Sequence, residues 1–143
     1  MIKKTATAHW SGGLKDGKGL ISTESGVLDA QPYGFNTRFE DKPGTNPEEL
    51  IGAAHAGCFS MAFSMILGDY DAVAEDIDTK ATVGLEEMDG GFAITKIHLD
   101  MTAKIPGLSE SDFQKAATTA KENCPVSKVL AGAEITMDAK LIS

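Results

Sequence analysis

The fold is decided by residues 46–68, which read NPEELIGAAHAGCFSMAFSMILG. Asn46 can cap a helix, Pro47 suits the first helical position, and Glu49 follows the cap by three residues, where a carboxylate can reach back to it. The remainder of the run carries no Asp, Glu, Lys or Arg and ends at a glycine, which is a typical stop signal. The stretch therefore predicts a helix from Pro47 to about Leu67.

This helix has the length of a membrane span at its lower limit, but its composition is different. Small residues dominate it and His55 lies inside it, whereas membrane spans consist mainly of large apolar side chains. We therefore predict a helix that is buried on nearly all sides, by a sheet or by a second subunit, in a protein that does not enter the membrane.

The sequence on both sides of the helix alternates between apolar and polar residues, as half-buried strands do. Before the helix we predict strands at 5–10 and 19–23. After it we predict a hairpin of 77–86 with 92–103, which has a bulge near Thr95–Lys96. A helix capped by Ser109 and running to Asn123, a short helix from Pro125 to Leu130 and a closing strand at 135–141 follow. The stretch 26–38 has no regular pattern. This order of elements predicts an α+β fold.

The composition excludes several classes of protein. A chain of 143 residues, 42% hydrophobic and 24% charged, predicts a single soluble domain over residues 1–143. Its net charge of −8 opposes binding to nucleic acid. The first residues contain no apolar signal segment, so we expect a cytoplasmic protein. Two cysteines are too few for a disulfide scaffold. They are therefore either inert core residues or residues that take part in a reaction.

The two cysteines occupy different environments. Cys58 lies in the middle of the apolar helix, where a cysteine usually packs as a small hydrophobic residue. Cys124 directly precedes Pro125, so it becomes the N-cap of any helix that Pro125 opens, and the helix dipole and free N–H groups there favour a thiolate. An inert residue before a turn is the alternative. Their separation fits neither a CxxC redox motif nor a zinc ribbon.

Arg38 is the only arginine among thirteen basic residues. Its planar fork can hold a carboxylate with two hydrogen bonds, and its charge can lower the pKa of a cysteine. Glu48 is a candidate carboxylate, although it also favours the helix N-terminus. Along a straight helix Glu48 and Cys58 are about 15 Å apart and rotated by about 80°. A shared site therefore requires a broken helix or, as we favour, the Cys58 of a second subunit.

His55 precedes Cys58 by three residues and lies on nearly the same face of the helix. A Cys–His nucleophile pair is conceivable, as is a metal site with Cys124. No nearby carboxylate on that face would orient the imidazole, however, and this spacing often arises by chance. Both roles stay minor alternatives.

Several stretches together resemble one known family: STESGVL (22–28), QPYGFNTRF (31–39), GTNPEELIGAAHAGCFSM (44–61), GFAITKI (91–97) and CPVSKVL (124–130). In these motifs the chain resembles the osmotically inducible protein C (OsmC) branch of the OsmC/Ohr family. The likeness extends over essentially the whole chain. The position of Arg38 just before the long helix favours the OsmC branch over the Ohr branch.

The resemblance implies a thiol-dependent peroxidase that reduces organic hydroperoxides, and hydrogen peroxide less efficiently, in defence against oxidative or osmotic stress. It implies antiparallel sheets that wrap around the long central helices of an intertwined homodimer. It also implies that Cys58 is the peroxidatic cysteine and Cys124 the resolving one, that Arg38 activates the thiolate, and that Glu48 orients Arg38. A Cys58–Cys124 disulfide would then be reset by an external dithiol, which the family suggests is of lipoyl type.

We expect neither a cofactor nor a metal in this cycle. An apolar lining would favour organic peroxides, and the candidates for it are four aromatic residues: Phe35, Phe39, Phe59 and Phe63. Two alternatives remain open. The chain could be a non-enzymatic dimeric binding protein with inert cysteines, or a metal-dependent hydrolase that uses His55 with the two cysteines.

Overall fold

The computed structural model of the chain describes residues 1–142 and has the predicted α+β architecture. Its contacts cluster into two compact units, an N-terminal unit from Met1 to Leu50 and a C-terminal unit from Ile51 onwards. That the whole chain is a single domain stays a prediction. The strands are β1 (Ala6–Ser11), β2 (Lys18–Thr23), β3 (Gln31–Tyr33), β4 (Asp76–Met88), β5 (Gly91–Lys104) and β6 (Glu134–Ile142). The helices are α1 (Phe35–Phe39), α2 (Pro47–Leu67), α3 (Glu110–Asn123) and α4 (Pro125–Val129), with a 3₁₀ turn at Gly68–Tyr70.

The N-terminal unit contains an antiparallel sheet in the order β1-β2-β3. The first two strands confirm the prediction. Strand β3 and helix α1 lie in the stretch that shows no regular pattern in the sequence. Helix α1 is only five residues long, and Thr37 stabilises its start: its hydroxyl accepts from the Gly34 N–H at 2.8 Å and donates to the Gly34 carbonyl at 3.0 Å. Such a local cap has no strong signature in the sequence.

Helix α2 has the predicted bounds. The side-chain oxygen of Asn46 accepts a hydrogen bond from the Glu49 N–H at 2.8 Å, which satisfies one of the free donors of the first turn. The helix runs without interruption to Leu67. The broken-helix alternative raised for Glu48 and Cys58 is therefore not what the chain forms.

The sheet of the C-terminal unit has the order β4-β5-β6. In the β4–β5 hairpin Gly84 pairs with Lys96 and Leu85 with Ile94, so Thr95 is the extra residue of a bulge, as predicted. Strand β6 pairs with β5 in parallel, because helices α3 and α4 carry the chain back across the sheet before β6 begins. The sequence pattern predicted β6, but the resemblance implied antiparallel sheets, whereas this sheet is mixed: β4 and β5 are antiparallel, and β5 and β6 are parallel.

The core of the C-terminal unit forms between α2, the sheet and α3. Its largest fully buried side chains include Phe59 and Phe63 of α2, Leu99 of β5 and Phe113 of α3. By length and composition alone α2 with the following turn could cross a membrane, with a mean hydropathy of 1.7. Its packing against this core instead identifies it as the core helix of a soluble fold.

Only one face of α2 is covered within a single chain. The buried residues follow a helical repeat, whereas the other face is exposed, most strongly at Met61 and Met65, whose exposed fractions are 77% and 74%. The expectation of burial on nearly all sides is therefore not met by one chain, because the sheet and α3 pack against one side of the helix.

Candidate active site

Helix α2 carries Cys58, and the junction of α3 and α4 carries Cys124. Cys124 ends α3 and is at the same time the N-cap of α4, with Pro125 in the first turn. Its sulfur accepts a hydrogen bond from the Ser127 N–H at 3.5 Å. The capping position predicted from the Cys-Pro pair is confirmed.

The tertiary structure brings the two sulfurs together although 66 positions separate them in the sequence. The Sγ atoms are 3.0 Å apart, and both cysteines are free. Cys124 is fully buried, whereas Cys58 is partly exposed. A disulfide bond of about 2.05 Å requires the two sulfurs to approach by roughly 1 Å more. This arrangement can therefore oxidise to a disulfide with a small local movement.

The two thiols differ in their pKa. Burial raises the pKa of Cys58, and the contact with Cys124 raises it further. Burial also acts to raise the pKa of Cys124, but its contacts with Cys58 and with Ser127 outweigh burial and lower that pKa. The lower pKa of the pair therefore belongs to Cys124, the cysteine that caps α4.

In the N-terminal unit, Arg38 and Glu48 form a two-point ion pair. The guanidinium donates from Nε to Oε1 at 2.9 Å and from Nη2 to Oε2 at 3.1 Å, which is the geometry that an arginine fork and a carboxylate favour. The Glu48 side chain is 12% exposed and that of Arg38 36% exposed. The carboxylate thus fixes the guanidinium in one orientation and leaves part of it accessible.

An apolar cavity of about 190 Å³ lies beside Arg38 in the N-terminal unit. Its wall includes the predicted Phe35 and Phe39, and also Trp10, Leu14 and Tyr33. The sequence did not predict these last three residues, since no short-range pattern in it links β1 and β3 to the loop that contains Leu14. The prediction that Phe59 and Phe63 line a site is wrong, because both are fully buried and stack on each other in the core with ring centroids 6.2 Å apart.

His55 is fully buried one turn before Cys58, and its Nε2 lies 2.7 Å from the Ser127 Oγ. The sequence analysis did not identify Ser127, although a serine three residues after an N-cap cysteine is a recognisable spacing. Within residues 1–142, the cluster of His, Cys and carboxylate ligands close enough to share a metal consists of His98, Asp100 and Asp138 on the outer side of the sheet. It does not include His55 or either cysteine, so the metal-hydrolase alternative has no support here.

The sequence matches the family described as OsmC-like protein over residues 39–140. It is also 58% identical over 142 residues to the protein named Peroxiredoxin OsmC of Escherichia coli strain K12, with 99% of each chain covered. The chain belongs to the OsmC-like protein family. The organic hydroperoxide resistance protein OhrB of Bacillus subtilis strain 168 is 32% identical, over 86% of this chain and 87% of its own length. The crystal structure of Bacillus subtilis OhrB has a TM-score of 0.68 and 28% identity, covering 96% of this chain and 98% of that one.

The candidate residues of this OsmC-like chain form two pairs, one in each unit. Glu48, Cys58 and Cys124 lie inside the matched range, and Arg38 lies directly before it. The structure brings Arg38 to Glu48 and Cys58 to Cys124. The catalytic roles assigned to the four residues stay predictions.

Proposed function

We propose that this chain is a thiol-dependent peroxidase that reduces organic hydroperoxides to alcohols. The observation that carries the proposal is the pair of free sulfurs 3.0 Å apart, in a chain that is 58% identical to a protein named a peroxiredoxin. The Ohr relatives are named for resistance to organic hydroperoxides, which supports the substrate class. Defence against oxidative or osmotic stress in the cytoplasm is the role that fits this activity.

In the first step, the Cys58 thiolate attacks the distal oxygen of the hydroperoxide. The O–O bond breaks, Cys58 becomes a sulfenic acid, and the departing alkoxide takes up a proton to give the alcohol. The Arg38 guanidinium stabilises the negative charge that develops on the leaving oxygen. Glu48 keeps the guanidinium oriented through its two hydrogen bonds.

In the second step, the Cys124 thiolate attacks the sulfur of the Cys58 sulfenic acid. The S–O bond breaks and, with one proton, the oxygen leaves as water, so that a Cys58–Cys124 disulfide remains. The proximity of the two sulfurs favours this step over a second oxidation by peroxide. An external dithiol, which we propose is of lipoyl type, then reduces the disulfide and is itself oxidised.

The first step requires a cation near Cys58, because burial and Cys124 both raise its pKa. Arg38 is the cation that we assign to this task. Glu48 and Cys58 lie ten residues apart on an uninterrupted helix, a separation of about 15 Å. We therefore assign the Arg38–Glu48 pair of one subunit to the thiols of the other, in a homodimer.

The exposed face of α2 supports this assembly. Met61 and Met65 are largely exposed, and the residues beside them on that face, Ala53, Gly57 and Ser64, are small. Small side chains allow close approach of a second helix, and methionine packs well against varied surfaces. A second copy of α2 on this face would give the helix the burial that its composition predicts.

The aromatic cavity beside Arg38 supports a preference for organic substrates. Its aromatic wall offers contact to an alkyl or aryl group, whereas hydrogen peroxide has no apolar part to bury. We expect a higher kcat/KM for cumene hydroperoxide than for hydrogen peroxide. An equal or higher value for hydrogen peroxide would contradict the substrate assignment.

The deciding experiment treats the fully reduced protein with one equivalent of cumene hydroperoxide, followed by free-thiol and intact-mass analysis. Peroxidase chemistry consumes the peroxide, removes both thiols, lowers the mass by two hydrogen atoms per chain, and yields a Cys58–Cys124 crosslink on peptide mapping. Unconsumed peroxide with two free thiols would instead support the non-enzymatic binding protein. The Cys58→Ser variant is the matched control for non-specific thiol oxidation.

A further inference from the structure

A buried relay of contacts connects His55 with Cys124 through Ser127. It begins at His55, whose Nε2 lies 2.7 Å from the Ser127 Oγ. It continues through the backbone of Ser127 to Cys124, whose sulfur accepts a hydrogen bond from the Ser127 N–H at 3.5 Å. All three residues are buried, and the mechanism above uses neither His55 nor Ser127.

The surroundings of the imidazole determine the direction of the relay. The His55 Nδ1 is buried and has no hydrogen-bond partner. Burial lowers the pKa of His55, so the ring is neutral and carries one N–H. A buried N–H without an acceptor is less tolerable than a buried lone pair without a donor. The proton is therefore on Nε2, which donates to the Ser127 Oγ.

This direction leaves Ser127 free to donate to sulfur. Since its oxygen accepts from His55, the hydroxyl hydrogen of Ser127 is not needed for that contact and is available to a charge on Cys124. The backbone N–H of Ser127 points at the same atom. One residue thus offers Cys124 an N–H that already donates to the sulfur and a hydroxyl whose oxygen is held by the ring of His55.

We infer that Ser127, and His55 acting through it, are positioning residues that make Cys124 the sulfur released when the reductant opens the disulfide. The inference rests on the proposed function in one respect, which is that the reductant is a dithiol. Cys58 is the partly exposed sulfur and Cys124 the fully buried one, so the incoming thiolate reaches Cys58. The electron pair of the broken S–S bond then goes to Cys124, where the two donors of Ser127 stabilise the charge.

The step balances as a thiol–disulfide exchange. One sulfur of the dithiol bonds to Cys58 while Cys124 leaves as thiolate. The second sulfur of the dithiol then attacks its own mixed disulfide, closes an intramolecular disulfide and releases Cys58. The two protons of the dithiol go to solvent or to the released cysteines.

The first test measures the titration of Cys124 without any peroxide. In a Cys58→Ser background, the ultraviolet absorbance of the thiolate is followed against pH, with and without Ser127→Ala. At pH values below the titration midpoint of Cys124, loss of a hydrogen bond to the charged sulfur should reduce the thiolate fraction about tenfold. Ser60→Ala is the matched control, because it removes a hydroxyl of α2 that is bonded to Ala56 and Thr79. An unchanged titration in Ser127→Ala would overturn the inference.

The second test follows the leaving group directly. The wild-type disulfide is formed with diamide, a general thiol oxidant, and is then opened with the monothiol 2-mercaptoethanol. Samples are quenched with acid at successive times, and the position of the adduct is mapped. We expect the adduct on Cys58 and a free Cys124, and an opening rate about tenfold lower in Ser127→Ala than in Ser60→Ala. An adduct on Cys124, or equal rates, would overturn the inference.

His55 has its own readout. Gln can place an N–H near the position of the imidazole Nε2, so His55→Gln should retain more of the Cys124 thiolate fraction than His55→Leu. Equal titrations of these two variants would remove His55 from the relay. Each variant is also compared with the Cys58→Ser background that keeps His55, so an unchanged Cys124 titration in either one alone would remove His55 as well. Because diamide and pH replace the peroxide in these tests, an inactive peroxidase with a shifted Cys124 titration would refute the proposed function and leave the relay standing.

Discussion

The four candidate site residues form two pairs of ionisable groups, and the two pairs are built in opposite ways. Arg38 and Glu48 are opposite charges joined by two hydrogen bonds, with the guanidinium partly open to solvent. Cys58 and Cys124 are two thiols whose sulfurs lie 3.0 Å apart, and one of them is fully buried. Burial and the neighbouring sulfur both oppose ionisation of Cys58. In the proposed mechanism Cys58 therefore depends on an activating charge, and we assign Arg38 to supply it.

The largest expected effect follows from removing the nucleophile. Cys58→Ser should lower peroxidase turnover with cumene hydroperoxide at least about a thousandfold, because a serine hydroxyl is a poor nucleophile toward peroxide. Steady-state consumption of the peroxide with excess dithiol measures this. Retained turnover would transfer the peroxidatic role to Cys124, whose pKa is the lowered one of the pair, and would reverse the roles proposed for the two thiols.

Removal of Cys124 should separate the first turnover from the later ones. Cys124→Ser should still consume one equivalent of peroxide, after which Cys58 proceeds to sulfinic acid with further peroxide, because no internal thiol condenses with the sulfenic acid. Intact-mass analysis after one and after several equivalents detects the added oxygens. Sustained turnover without over-oxidation would show that the short distance between the sulfurs is not used for resolution.

The charge pair is tested by a change that keeps the charge. Arg38→Lys should slow the oxidation of Cys58 by about tenfold, because an ammonium group loses the two-point geometry to Glu48. The deficit should shrink as pH rises, because hydroxide then generates the Cys58 thiolate that the guanidinium otherwise favours. Lys104→Ala is the control, since it removes a cation that is paired with Glu75 on the surface. Full activity of Arg38→Lys at neutral pH would refute the role of the fork.

The smallest effect concerns stability at acid pH. Burial lowers the pKa of His55 from an ordinary value of 6.5, so below that pH the unfolded chain binds a proton that the folded chain does not. Stability should therefore fall as the pH decreases below 6.5 towards the folded-state pKa, by up to about 1.4 kcal/mol per pH unit from this residue alone. Urea unfolding at several pH values measures the slope. His55→Gln should have a shallower slope, and identical slopes would contradict the buried, neutral imidazole.

Features with local causes could be predicted from the sequence. Asn46 and Pro47 start α2 through capping and the fixed proline φ, Ser109 caps α3, and Cys124 caps α4 because a proline follows it. The bulge at Thr95 follows from a change in the phase of alternation. Each of these signals lies within a few residues of the structure that it predicts.

Features that depend on distant contacts could not be predicted in this way. Phe59 and Phe63 have the composition of a pocket wall but pack in the core, because the sheet and α3 cover that face of α2. Strand β3 has three residues, one of which is a proline, and is too short to show a period in the sequence. Its pairing with β2 stabilises it.

The sequence by itself determined the long helix, the capping position of Cys124, the singular arginine and the family. Only the tertiary structure decided which groups meet: Arg38 with Glu48, Cys58 with Cys124, and His55 with Ser127. The reason is physical. Caps and hydrophobic periods act over one or two turns of chain, whereas the distance between two sulfurs 66 positions apart depends on how α2, α3 and α4 pack around one core.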